Sequence, residues 1–168
     1  MKTFPTNQKG MTLLEILLYV SISGAIIFAA SSLLSVVYDI KLKGDIIQAV
    51  EEEGTSISYT LDRYVQNARQ IFTPDLYKTD EKMILTVSGV EHDTVVTVFK
   101  ENKILYSAVD NSEKMAMSSN NVKIEELSFT HAGESGRDYI GYSFVISGAD
   151  ATGKIVYRKS FSSGATVR

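Results

Sequence analysis

The chain has 168 residues, no cysteine and a formal net charge of −3, so it has room for one short apolar segment and one modest domain held by packing alone. Lys2 and Lys9 are the only charges in residues 1–10; without them the rest carries 15 basic and 20 acidic residues, a net of −5. An acidic domain disfavours binding to a phosphate backbone, which needs clustered Lys and Arg.

Residues 1–10 read as a short basic leader. From Met11 the chain turns apolar, and between Ile16 and Tyr38 no Asp, Glu, Lys or Arg occurs. As a helix those 23 residues rise roughly 34 Å, enough to cross a hydrocarbon core of about 30 Å. The basic flank keeps the N-terminal end in the cytoplasm and exports the rest. One residue does not fit: Glu15 puts a carboxylate at the mouth of this run, and an unpaired acid deep in a bilayer costs about 2.5–3.5 kcal/mol.

Three readings apply to residues 1–38. A cleaved secretory signal would use the small residues of "FAASS", with Ala29 and Ser31 before the cut. A plain signal anchor would stay uncut. Both treat Glu15 as incidental. The third accounts for it: "KGMTLLEILLYVSI" resembles the class III signal of type IV pilins and type II secretion pseudopilins. That resemblance rests on the basic leader, Gly10, the series Met11, Thr12, Leu13, Leu14, Glu15, and the membrane-length run. Gly24 also falls where many members carry glycine. Met11 departs from the more frequent Phe, and the helix lacks the proline of many major pilins.

The resemblance implies a prepilin peptidase and N-methyltransferase that cuts between Gly10 and Met11 and methylates the new amine. It implies that Glu15 pairs with the Met11 amine of a neighbouring pilin or pseudopilin subunit. At about 4 Å and an effective dielectric of 20 such a pair is worth on the order of 4 kcal/mol before desolvation. It further implies a single-pass protein of the inner membrane, embedded in its lipid, that joins a pilus, secretion or competence filament as a minor pilin or pseudopilin. The reading from another class is a stand-alone, signal-anchored exported binding module. Small residues at Ser21, Gly24 or Ala25, Ala29 and Ser32 can let helices approach closely, though such residues are common in any membrane helix.

Residues 39–74 follow a 3.6-residue period through Ile47, Val50, Gly54, Ile57, Leu61, Tyr64, Ala68 and Phe72, which predicts an amphipathic helix stopped at Thr73-Pro74. Gly44 and Gly54 mark possible bends. Residues 75–168 read as an antiparallel β-sheet domain, with strands at 83–88, 94–100, 103–109, 122–131, 139–147 and 154–162. The apolar phase shifts across Glu125-Glu126, which predicts a β-bulge. "ENK" and "GADATG" are hairpin connections, and 110–121 a long loop. The expected fold is α+β, pilin-like: one long N-terminal helix packed on an antiparallel sheet.

Catalytic signatures are missing, so enzyme activity, a cofactor and a small-molecule substrate are not expected. His131, Glu134 and Asp138 could form a metal site, but without recognised ligand spacing they read as solvated turn residues, and His92 stands apart. "DNSE" (110–113) lacks EF-hand spacing. Tyr77, Tyr106, Tyr139, Tyr142 and Tyr157 read as half-buried packing groups with wet hydroxyls.

Overall fold

The structure is a computed structural model and describes residues 12–88, 93–110, 112–134 and 137–167, without the side chains of Glu134 and Arg137. It is an α+β protein: one long N-terminal helix, α1 (Leu13–Gln66), whose later part packs on antiparallel β-sheets. The chain divides into two units between Lys41 and Leu42.

In the first unit the helix buries nothing. Leu13, Leu14, Leu17, Ile27, Phe28, Leu33 and Leu34 are all exposed. This is the one helix among the described residues that is long and apolar enough to cross a membrane.

In the second unit the helix is amphipathic, as its period predicts. Val50, Gly54, Ile57, Leu61 and Val65 are buried, three or four residues apart. The helix ends at Gln66, not at Phe72 as expected. Asn67 caps it, its amide nitrogen donating to the Arg63 carbonyl at 2.9 Å. Residues Ala68–Thr73 then form strand β1 and pair with β3 (Met83–Val87), so Thr73-Pro74 terminates a strand. The sheet region therefore starts before residue 75.

The strands form two sheets where one was expected. The first has the order β1-β3-β4-β5-β6, adding β4 (Thr94–Glu101), β5 (Ile104–Val109) and β6 (Met115–Ala116). The second has the order β2-β7-β8-β9, from β2 (Thr79–Asp80), β7 (Val122–Glu134), β8 (Arg137–Ala149) and β9 (Ile155–Thr166). The β4–β5 hairpin closes through Asn102 and Lys103, both at positive φ, the pattern of a type I′ turn. Residues 110–121 include β6, so that stretch is not simply a loop. It is tied to the helix where Ser119 N donates to Glu53 at 2.9 Å.

The bulge falls where the phase shift placed it, between Ile124 and Glu126. The Glu125 carboxylate there meets Lys103 Nζ of the β4–β5 turn at 2.8 Å and Ser147 Oγ of the neighbouring strand β8 at 2.9 Å. Ile124 N also donates to the Lys103 carbonyl at 2.8 Å, which stitches the β4–β5 turn to β7. Phe129, Phe144, Ile140 and Ile146 from the second sheet share one core with Met83, Leu85, Val98 and Leu105 from the first and with the helix stripe.

Candidate functional site

The helix start carries the sequence-predicted site. Gly10 and Met11 lie outside the described residues. Thr12 precedes the first helical residue, and its Oγ1 accepts a hydrogen bond from Glu15 N at 3.3 Å. Its carbonyl accepts from Glu15 N at 3.0 Å and Ile16 N at 3.2 Å. Thr12 is thus the N-cap and Glu15 the third helical residue, the spacing of a capping box.

That role for Thr12 is missing from the sequence reading, although Thr-x-x-Glu before an apolar run is a legible signal. It gives Glu15 a second physical reason to exist. An acid in the first turn complements the helix dipole by about 0.3–1 kcal/mol. The Glu15 carboxylate has no hydrogen-bond partner among the described residues, and the residue is only partly exposed amid exposed neighbours.

Behind the cap, two serines in the apolar run bond back to the preceding turn. Ser21 Oγ donates to the Leu17 carbonyl at 2.8 Å, and Ser35 Oγ to the Ser31 carbonyl at 3.2 Å. Such back-bonding satisfies these two hydroxyls within the helix itself. A Cβ added at Gly24 would meet nothing within 4 Å.

The other residues singled out take structural places. His131 is not a solvated turn residue: it lies on β7, 6% exposed, because β7 and β8 continue past the expected turn to Glu134 and Arg137. Its Nδ1 lies 2.9 Å from the Pro74 carbonyl, which makes Nδ1 the donor, and its Nε2 lies 3.6 Å from Asp138 Oδ1. His92 is outside the described residues. No group of three or more His, Cys, Asp or Glu positioned for a metal occurs among the described residues. Asp110 of "DNSE" accepts from Val95 N at 2.7 Å, closing the β4–β5 pair.

Four of the tyrosines have internal partners. Tyr77 donates to the Gly133 carbonyl and Tyr157 to Glu51, Tyr106 stacks on Phe99, and Tyr142 reaches Asp62 and Ser58 of the helix. Tyr139 differs, its ring lying across two glycines on an open sheet face.

Comparison of the chain with protein-family models, curated proteins and solved structures finds no match.

Proposed function

We propose that this chain is a structural subunit of the type IV pilin and type II secretion pseudopilin class, a minor pilin or pseudopilin of a pilus, secretion or competence filament. One observation carries the reading: an acid with no internal partner among the described residues stands in the first turn of a Thr-capped helix, directly ahead of 23 uncharged residues. The fold supports it, since the same helix continues into an antiparallel β domain.

In this reading the prepilin peptidase removes residues 1–10 at the cytoplasmic face of the inner membrane and methylates the Met11 amine. The cation so created on one subunit faces Glu15 of the next. Registers that leave the two charges apart lose the pair and strand an acid in lipid, so the charge fixes the stagger of the subunits.

Mass spectrometry of the mature N-terminus tests it. The expected species begins with N-methyl-Met11. A chain beginning at Met1 returns the protein to a signal anchor, one beginning at Ser32 makes it a secreted domain, and either result overturns the proposal.

A further inference from the structure

The face of the second sheet turned away from the helix has an unusual composition. Side chains alternate along a strand, so Tyr139, Gly141, Ser143 and Val145 of β8 share that face. The register sets them in rows. Thr79, Thr130, Gly141 and Gly164 lie abreast, Ser128, Ser143 and Ser162 form the next row, and Glu126, Val145 and Ser160 the third. Hydroxyls touch across strands, Thr79 to Thr130 at 3.1 Å and Ser128 to Ser143 at 2.9 Å. Each such pair retains unused hydrogen-bonding capacity.

Above the Gly141–Gly164 row lies Tyr139. A Cβ on Gly164 would fall 2.0 Å from the Tyr139 hydroxyl oxygen, and one on Gly141 would fall 3.3 Å from its ring. The two glycines therefore let the ring lie down on the sheet, where it is still 42% exposed. At the opposite end the face opens into a recess of about 320 Å³, lined by Glu81, Lys100 and Glu126 together with Ser128, Ser143 and Ser160. From Tyr139 to Val145 the strand covers about 20 Å.

We propose that this face binds a β-1,4-linked glycan of the glucose or N-acetylglucosamine type. The chemistry matches at each point. A flat, exposed ring offers a stacking platform to the axial C–H face of a pyranose whose hydroxyls are all equatorial. Rows of Ser and Thr hydroxyls can donate to and accept from those hydroxyls, and the recess adds the Glu81 carboxylate beside Lys100 and Glu126, which bond the Glu125 carbonyl and Arg158. A second copy of the chain fits less well. Along these rows the apolar side chains are Ala132, Tyr139 and Val145, too few for the apolar core of a protein interface. The proposal depends on the second unit alone and is independent of filament assembly.

The test is calorimetric titration of the full-length chain, in a detergent without a sugar headgroup, with cellotetraose, chitotetraose and α-linked maltotetraose. A β-linked tetrasaccharide is expected to bind, and maltotetraose not to. Tyr139→Ala is expected to weaken binding about tenfold, whereas Tyr139→Phe, which keeps the platform, changes it about twofold or less. If Tyr139→Ala melts at the working temperature, Ser162→Leu takes its place, putting a bulky group at an exposed position in the hydroxyl row. Heats indistinguishable from dilution with both β-linked sugars overturn the proposal. So does equal binding of maltotetraose, or wild-type affinity in Ser162→Leu. Self-association abolished by Ser162→Leu, with no sugar binding, assigns the face to a second copy and overturns it as well.

Discussion

Glu15 has two physical roles to separate, capping and charge pairing, and two substitutions do so. Glu15→Gln keeps a residue suited to the third position of a capping box but removes the charge. Glu15→Ala removes both. Both variants are expected to reach the membrane and be cleaved, and both are expected to be lost from assembled material in a co-purification assay. Incorporation of Glu15→Gln at the wild-type level would leave Glu15 a capping residue only. The cap was as legible in the sequence as the acid, since Thr12 and Glu15 stand in the right spacing; the pairing partner was not, because it belongs to another molecule. In the second unit, Tyr142 is 3% exposed and its hydroxyl lies 2.7 Å from Asp62 Oδ1 and 2.9 Å from the Ser58 carbonyl. Burial, then the Asp62 carboxylate, pushes the phenol well above its ordinary value of 10.0. The folded state therefore prefers the protonated phenol. Its contribution is complete below about pH 10 and is lost as pH rises toward the folded value. Chemical denaturation from pH 8 to 11 is expected to show stability falling above pH 10. Tyr142→Phe should cost about 1 kcal/mol at neutral pH and flatten that fall, leaving the slope from Lys78, Lys114, Tyr157 and Lys159, which hydrogen bonds to acidic partners hold above their usual ranges.

Two glycines in α1 show that one residue type has opposite consequences along one element. Around Gly44 an added Cβ meets nothing within 4 Å, so Gly44→Ala is expected to raise stability by up to about 1 kcal/mol. Around Gly54 the same atom falls 2.1 Å from the Phe161 ring, which stacks on Phe144 at a centroid distance of 5.4 Å. The overpacking cost of about 1–3 kcal/mol offsets the gain in helix propensity, so Gly54→Ala is expected to lower the melting temperature. The sequence pattern marked both glycines as possible bends, yet the helix runs through them, and Gly54 is needed for close approach. The bulge in β7 makes a similar point. Its position was readable from the broken alternation at Glu125-Glu126, but its use was not. Glu125 is held below its ordinary value of 4.5 chiefly by Lys103, with Ser147 assisting. Its contribution is present above pH 4.5 and disappears as pH falls through the lowered value. Glu125→Gln is expected to cost about 1–2 kcal/mol at pH 7 and progressively less below pH 4.5, measured by urea denaturation. Where the helix ends could not be read, because Ala68 and Phe72 satisfy the helical period as well as a strand. What decides is the bonding edge of β3, whose residues pair with β1 from Thr73↔Ile84 out to Ala68↔Val87.

The chain divides its apolar residues into an exposed set and a buried one. From Leu13 through Lys41 none of the described residues is buried, whereas the core residues fall between Val50 and Ala165. This division explains which parts of the fold were open to sequence reading. The membrane-length run and the alternating strands report local periodicity, which a single chain carries. The separation into two sheets depends on long-range choices: β2 pairs with β7 at Thr79–Thr130, and β1 pairs with β3 across the 74–82 connection. No local pattern encodes such choices. It follows that the residues from Leu42 contain everything their core requires. A fragment of residues 42–168 is expected to be soluble without detergent and to unfold in one cooperative transition. In that fragment Tyr142 still reaches Asp62 and Ser58, and Phe161 still covers Gly54. Far- and near-ultraviolet circular dichroism followed during heating would check it, with coincident transitions expected at both wavelengths. A fragment that keeps its far-ultraviolet signal but lacks fixed tertiary packing would mean that helix turns before Leu42 contribute to the core, contrary to the burial pattern.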